Sequence, residues 1–121
     1  IARLHERMSE PRVAAKVQVD AIRRLCEREG GFAMVLSRGD PVAGDILIIS
    51  RERGGSPALI RRALRWDGPP SWRDTETQLF ENEEKLTVFL DQKRAVDPDL
   101  WLIDLDIPDS ERFIALLHDF V

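Results

Sequence analysis

The hydrophobic positions change their spacing several times along the chain, and each change marks an element. From Pro11 to Glu29, residues Ala14, Val17, Ala21, Ile22 and Leu25 recur at helical spacing. They predict a helix with Ser9 as its cap, Pro11 in its first turn and Gly30-Gly31 as its end. Two short apolar runs, at 32–38 and 43–52, flank a stretch holding Gly39 and Pro41 and predict a β-hairpin. After the break at Gly54-Gly55-Ser56-Pro57, residues 58–67 suit either period. Leu59, Ile60, Ala63 and Leu64 fit a helix, whereas Ile60, Leu64 and Trp66 on one side with Arg61 and Arg65 on the other fit a strand. The turn residues Asp67-Gly68-Pro69-Pro70 and the resumption at Ser71-Trp72-Arg73 favour a second hairpin, with strands at 58–67 and 71–75. Arg62 then falls on the apolar side and needs a carboxylate or the sheet edge.

Charge brackets the next helix, expected over 82–96. Glu81, Glu83 and Glu84 crowd its start and Lys93 and Arg94 its end, as the helix dipole favours, and Pro98 stops it. Leu86, Phe89 and Leu90 form its inner face. Residues 100–107 alternate cleanly, with Trp101, Ile103, Leu105 and Ile107 on one face and Leu102, Asp104 and Asp106 on the other, which predicts a strand. Phe113, Leu116, Leu117 and Phe120 then recur at helical spacing behind a cap at Asp109 or Ser110. The expected architecture is a single α+β domain in the order α-β-β-β-β-α-β-α, with a mostly antiparallel sheet and helices on one face. Its expected core includes Val17, Ile22, Leu25, Phe32, Val35, Ile46, Ile48, Phe89, Leu90, Trp101, Ile103, Leu105, Phe113 and Leu117.

Length adds that 121 residues suit one domain, and Met8-Ser9-Glu10-Pro11 looks like a natural beginning. The domain is therefore expected over 8–121, with 1–7 a leader outside the fold. At 43% hydrophobic and 33% charged, the chain can build a core under a charged surface. One cysteine, Cys26, excludes an internal disulfide framework and any multi-cysteine metal motif. No apolar run approaches the ~18 residues that span a bilayer, so the expectation is a cytoplasmic protein that engages no membrane.

The net charge of −4 conceals an asymmetry: residues 1–75 carry +4 and residues 76–121 carry −8. Bases concentrate between Arg51 and Arg73, and 15 of the 18 are arginine, the side chain that forks onto carboxylates and phosphates. Pairing within the fold or across a dimer is one use of this asymmetry, and a polyanion surface is another. Arg61, Arg62, Arg65, Trp66, Trp72 and Arg73 gather about one turn, a mixture enriched at interface hot spots. They are the candidate surface for a protein partner or self-association, with nucleic acid the less favoured occupant; Trp66 and Trp72 suit the core as well as such a surface. Among the acidic residues, Asp104, Asp106 and Asp109 are weak candidates for a Mg²⁺-dependent phosphoryl-group reaction. The alternative expected for Asp104 and Asp106 is pairing with Arg61 and Arg65 from an adjacent strand 58–66. Catalysis by a nucleophile has little to draw on. Cys26 lies at a helix C-terminal end that disfavours its thiolate, and the histidines are His5 in the leader and His118. No phosphate-binding glycine loop occurs. The residues thus favour a non-enzymatic interaction or regulatory module without a cofactor.

Met8-Ser9-Glu10-Pro11-Arg12, Ile22-Arg23-Arg24, Gly31-Phe32-Ala33, Arg38-Gly39-Asp40, Ala43-Gly44 and above all Arg94-Ala95-Val96-Asp97-Pro98-Asp99-Leu100-Trp101 resemble a family, the alphaproteobacterial domain of unknown function 1491. The ending Asp104-Leu105-Asp106-Ile107-Pro108 with Glu111-Arg112-Phe113 is similar to members from the sphingomonad branch. The resemblance covers residues 8–121, and the Asp-Pro-Asp-Leu-Trp element is its most specific part. Other members end in a Gly-Arg-containing hairpin and strand, where this chain has helical spacing. The resemblance implies no activity, ligand or catalytic residue.

Overall fold

A computed structural model describes residues 13–66 and 68–120. The elements are α1 (Ala15–Arg28), β1 (Phe32–Ser37), β2 (Ile46–Glu52), β3 (Ala58–Arg65), β4 (Gly68–Leu79), α2 (Glu83–Val96), β5 (Trp101–Ile107) and α3 (Ser110–Leu117). This is the expected α+β order, and the stretch that suited both periods is a strand, but the hairpin expected over 32–52 does not form: β5 lies between β1 and β2, which do not pair with each other. The five strands form one sheet in the order β1-β5-β2-β3-β4. Its pairings are antiparallel except for β2 with β5, which run parallel after α2 carries the chain back to the sheet centre.

Helices cover both faces of this sheet, not one as the alternation of β5 implied. Ile46, Ile48, Ile60, Trp101, Ile103 and Leu105 pack with Val19, Ile22 and Leu25 of α1 and with Phe113 and Leu117 of α3. The neighbouring positions Leu47, Ile49, Leu59 and Leu102 point the other way, onto Leu86 and Leu90 of α2. A central strand apolar at four consecutive positions, as Ile46–Ile49 is, requires cover on both sides.

The start of the first helix expected from Ser9 and Pro11 lies outside the described residues. Ala14 offers α1 no side-chain cap. Instead, Ala15 N–H donates to the Val42 carbonyl at 3.1 Å and Lys16 N–H to Pro41 at 2.9 Å, so a loop after β1 satisfies the helix start. At the other end Gly30, with φ +86°, reverses the chain and Gly31 N–H donates to the Cys26 carbonyl at 2.9 Å. The buried stripe of α1 is Ala15, Val19, Ile22, Leu25 and Cys26. Val17, an expected core residue, lies on the opposite side of this helix and is 57% exposed. Phe32 is corrected likewise: it lies on an edge strand and is 80% exposed.

The second hairpin is longer and tighter than its turn residues suggested. The β3–β4 register runs from Ala58↔Leu79 to Arg65↔Gly68, so Pro69 and Pro70 belong to β4 rather than to a turn. An edge strand tolerates prolines because its outer backbone groups have no ladder partner to lose. In the second half of the chain the expected ends hold closely. Asn82 caps α2 by accepting from Lys85 N–H at 2.9 Å, and Asp109 caps α3 by accepting from Arg112 N–H at 3.1 Å.

Candidate functional site

The six residues gathered about the second hairpin divide between interior and surface. Trp72 is 1% exposed and belongs to the core under α1. The Arg62 side chain lies beside it, with its guanidinium 5.4 Å from the Trp72 ring centroid. Arg62 donates to Asp45 at 2.6 Å and to Gln18 Oε1 at 3.3 Å, the same oxygen that accepts from the Trp72 indole N–H at 3.3 Å. The carboxylate that Arg62 needed on the apolar side is therefore Asp45, from the loop before β2. These two residues leave the expected interaction surface because the fold consumes them.

Trp66, Arg61 and Arg73 stay outside. Trp66, where the hairpin turns, is 98% exposed. Arg61 faces Glu76 across the β3–β4 pair at 3.4 Å, an exposed ion pair worth well under ~1 kcal/mol that a partner can displace. Arg73 is exposed on β4. Of Arg65, only the backbone at the end of β3 is described.

The aspartates are not brought together, and β5 does not lie beside β3 as the expected Asp–Arg pairing required. It sits between β1 and β2, so Asp104 meets Arg51 of β2 instead of Arg61. Arg51 also forks onto Glu83 in the first turn of α2, at 2.9 and 2.7 Å. Hydrogen bonding to Glu83 raises the Arg51 pKa above its ordinary value, and the same bond holds Glu83 below the usual carboxylate range. Asp106 accepts from Gly54 N–H at 3.1 Å, steadying the turn after β2 in which Arg53 adopts φ +53°. Asp109 is the α3 cap. Each of the three Mg²⁺ candidates thus has a separate structural task, and among the described residues no group of three His, Cys, Asp or Glu is placed to hold a metal ion.

Cys26 is fully buried, and burial first, with Glu27 and Asp106 adding to it, pushes its thiol up to about 11. His118 Nε2 lies 3.3 Å from Thr75 Oγ1, and His5 is outside the described residues. No helix among the described residues is long and apolar enough to cross a membrane.

The most distinctive letters of the chain turn out to lock one loop to one strand. Asp97 Oδ1 accepts from Asp99 N–H at 3.1 Å, and Leu100 N–H donates to the Asp97 carbonyl at 3.2 Å, shaping the entry into β5. The loop after β1 lies against it: Asp40 N–H donates to the Asp99 carbonyl at 3.0 Å and the Trp101 indole N–H donates to the Asp40 carbonyl at 2.7 Å. Gly39 must be glycine there, since a Cβ would collide with the Asp99 carbonyl. Asp40 Oδ2 closes the loop by accepting from Val42 and Ala43 N–H at 3.1 and 2.6 Å. Arg38-Gly39-Asp40 and Asp97-Pro98-Asp99-Leu100-Trp101 are thereby two halves of one contact.

Solved structures share this fold. The crystal structure of a DUF1491 family protein from Caulobacter crescentus is similar over 84% of this chain and 94% of its own, at 27% identity and a TM-score of 0.70. The solution structure of protein Atu0922 from A. tumefaciens is similar over 81% of this chain and 88% of its own, at 26% identity and a TM-score of 0.68. An NMR structure of a DUF1491 family protein from C. crescentus gives 28% identity and a TM-score of 0.67, over 84% of this chain and 91% of its own. No curated protein matches. The family described as "Protein of unknown function (DUF1491)" matches residues 13–115, and the chain belongs to that family.

Proposed function

We propose that the protein is a non-enzymatic interaction module that engages a protein partner through the end of the β3–β4 hairpin. The observation that carries this reading is Trp66, the largest side chain type, left 98% exposed where the hairpin turns. Tryptophan and arginine are the residues that most often dominate interface energetics, and Arg61 and Arg73 lie farther along the two strands of the same hairpin. We place the protein in the cytoplasm. On the Asp104-Leu105-Asp106-Ile107-Pro108 ending, we assign it to the sphingomonad branch of the alphaproteobacteria.

The test is affinity purification from the native cytoplasm with the natural chain, Trp66→Ser and Arg61→Glu, each with and without nuclease and over a salt series. A protein captured by the natural chain, surviving nuclease and lost from Trp66→Ser, supports the module. Capture that disappears with nuclease and falls steeply with salt assigns the surface to a polyanion instead, since phosphate contacts release counterions. Equal capture by all three chains overturns the reading.

A further inference from the structure

At the corner of the sheet where β1 begins and β2 and β5 end, an open cleft of about 270 Å³ is lined by Gly30, Gly31, Phe32, Arg53, Asp106 and Pro108. Two opposite charges line it, and the fold uses neither in an ion pair. Among the described residues Arg53 and Asp106 pair with no other charge and not with each other. Asp106 Oδ1 accepts from Gly54 N–H at 3.1 Å, whereas Oδ2 has no donor among the described residues and is open to solvent. Phe32 stands directly across from Asp106 on the neighbouring strand, so its ring rises from the same face of the sheet, and it is 80% exposed. Arg53 is the one non-glycine residue at positive φ among the described residues, at +53°, although glycines occupy the next two positions. Glycine would adopt that conformation without strain, so an arginine there carries a cost that the turn itself does not require.

We propose that this cleft binds a small zwitterion of the α-amino acid class, with its ammonium on Asp106 Oδ2, its carboxylate on the Arg53 guanidinium and an apolar side chain on Phe32. Charge sets the class. A simple anion would meet Asp106 and a simple cation would meet Arg53, each a like charge in the same cleft. A ligand carrying both signs satisfies both, through charge-assisted hydrogen bonds. The exposed ring beside the carboxylate adds to the attraction for an ammonium group. The volume lies just under the roughly 300 Å³ at which pockets for larger ligands begin, which suits a molecule of amino-acid size. An open cleft and so few ligand atoms give a dissociation constant on the order of 1 mM. This inference does not rest on the hairpin reading. Ser50, near the end of β2, pairs with Ala58 at the start of β3, whereas Trp66 follows the far end of β3, so the two sites occupy opposite ends of the sheet.

The full chain, isotope-labelled and titrated with L-leucine and with L-phenylalanine to well above that concentration, should show saturable amide shifts at Gly30, Gly31 and Gly54. Leucinamide lacks the carboxylate and N-acetylleucine lacks the ammonium, and each should bind at least about tenfold more weakly than leucine. Arg53→Gly suits the positive φ and should keep the fold and its melting temperature while weakening leucine at least about tenfold. Asp106→Asn keeps an acceptor for Gly54 N–H, removes the charge and should cause a similar loss. Asp91→Asn, at an exposed position on α2, should leave binding unchanged. The absence of a saturable shift at these glycines with either amino acid overturns the proposal. So does equal binding of leucinamide or N-acetylleucine, or undiminished binding by Arg53→Gly. Shifts confined to the hairpin around Trp66 overturn it as well, since they would place the ligand at the other end of the sheet.

Discussion

The two faces of the sheet are held by different physics. Under α1 and α3 lies a cluster of fifteen buried residues, among them Trp72, Trp101 and Phe113, and the polar group that reaches it, Arg62, arrives with hydrogen-bond partners. Under α2 the cluster has seven fully buried residues with Phe80 and Phe89 partly buried against it, and the helix is additionally fastened by Arg51 between Glu83 and Asp104. The difference teaches how one small domain divides its labour. A deep apolar face supplies most of the stability, while a thin face relies on ions to keep its helix in register and leaves Phe32, Met34 and Leu36 of β1 exposed.

The largest effect should come from the deep face. Phe113→Ala removes a side chain 1% exposed between α3 and the sheet and should cost about 3–5 kcal/mol, read as a lower denaturation midpoint in urea with little dependence on salt. Arg62→Met is the next. It keeps the stem over Trp72 but takes one donor from each of Gln18 and Asp45, which retain the Trp72 indole N–H and the Ile46 N–H, and should cost about 1–3 kcal/mol in the same measurement. If Arg62→Met were as costly as Phe113→Ala, the deep face would depend on its polar entrant as much as on its packing, and the contrast would fail. A third measurement compares helices within one native molecule. Hydrogen exchange should show α2 amides opening below the global unfolding free energy while those of α1 open only with it.

Much of this organisation was legible in the sequence because it is local. The end of α1 at Gly30, the charge bracket of α2, the cap at Asp109 and the alternation of β5 depend on residues within a few positions of one another. What was not legible depends on partners far along the chain. Arg62 and Trp72 stayed open between surface and core because their acceptors, Gln18 and Asp45, lie 44 and 54 positions away for the first acceptor and 17 for the second. Asp104 was matched with Arg61 because nothing in the spacing places β5 between β1 and β2. Two signals were present and carried less weight than they merited: the unbroken apolar run Ile46–Ile49, and Leu102 among the aspartates of β5. Both say that the sheet needs cover on each face. The exposure of Phe32 had no comparable signal, since an apolar residue at the start of a strand looks the same on an edge as in a core.

The smallest predicted effect tests the ionic half of the comparison most directly. Glu83 is held below its ordinary pKa of 4.5 by the hydrogen bond from Arg51. A carboxylate lowered in the folded state binds fewer protons there than in the unfolded chain, so its contribution is full above 4.5 and is lost as pH falls through the lower folded value. Glu83→Gln keeps the shape and removes the charge. Because the Glu83 side chain is 59% exposed, water and salt screen the pair, and the loss at neutral pH should be under ~1 kcal/mol. Natural chain and variant should therefore differ slightly at neutral pH and low salt, and converge both in acid and at high ionic strength. Phe113→Ala should differ from the natural chain by nearly the same amount throughout. A Glu83→Gln deficit that persisted in acid would mean that α2 is fastened by packing at that end after all, and that the two faces differ in depth but not in kind.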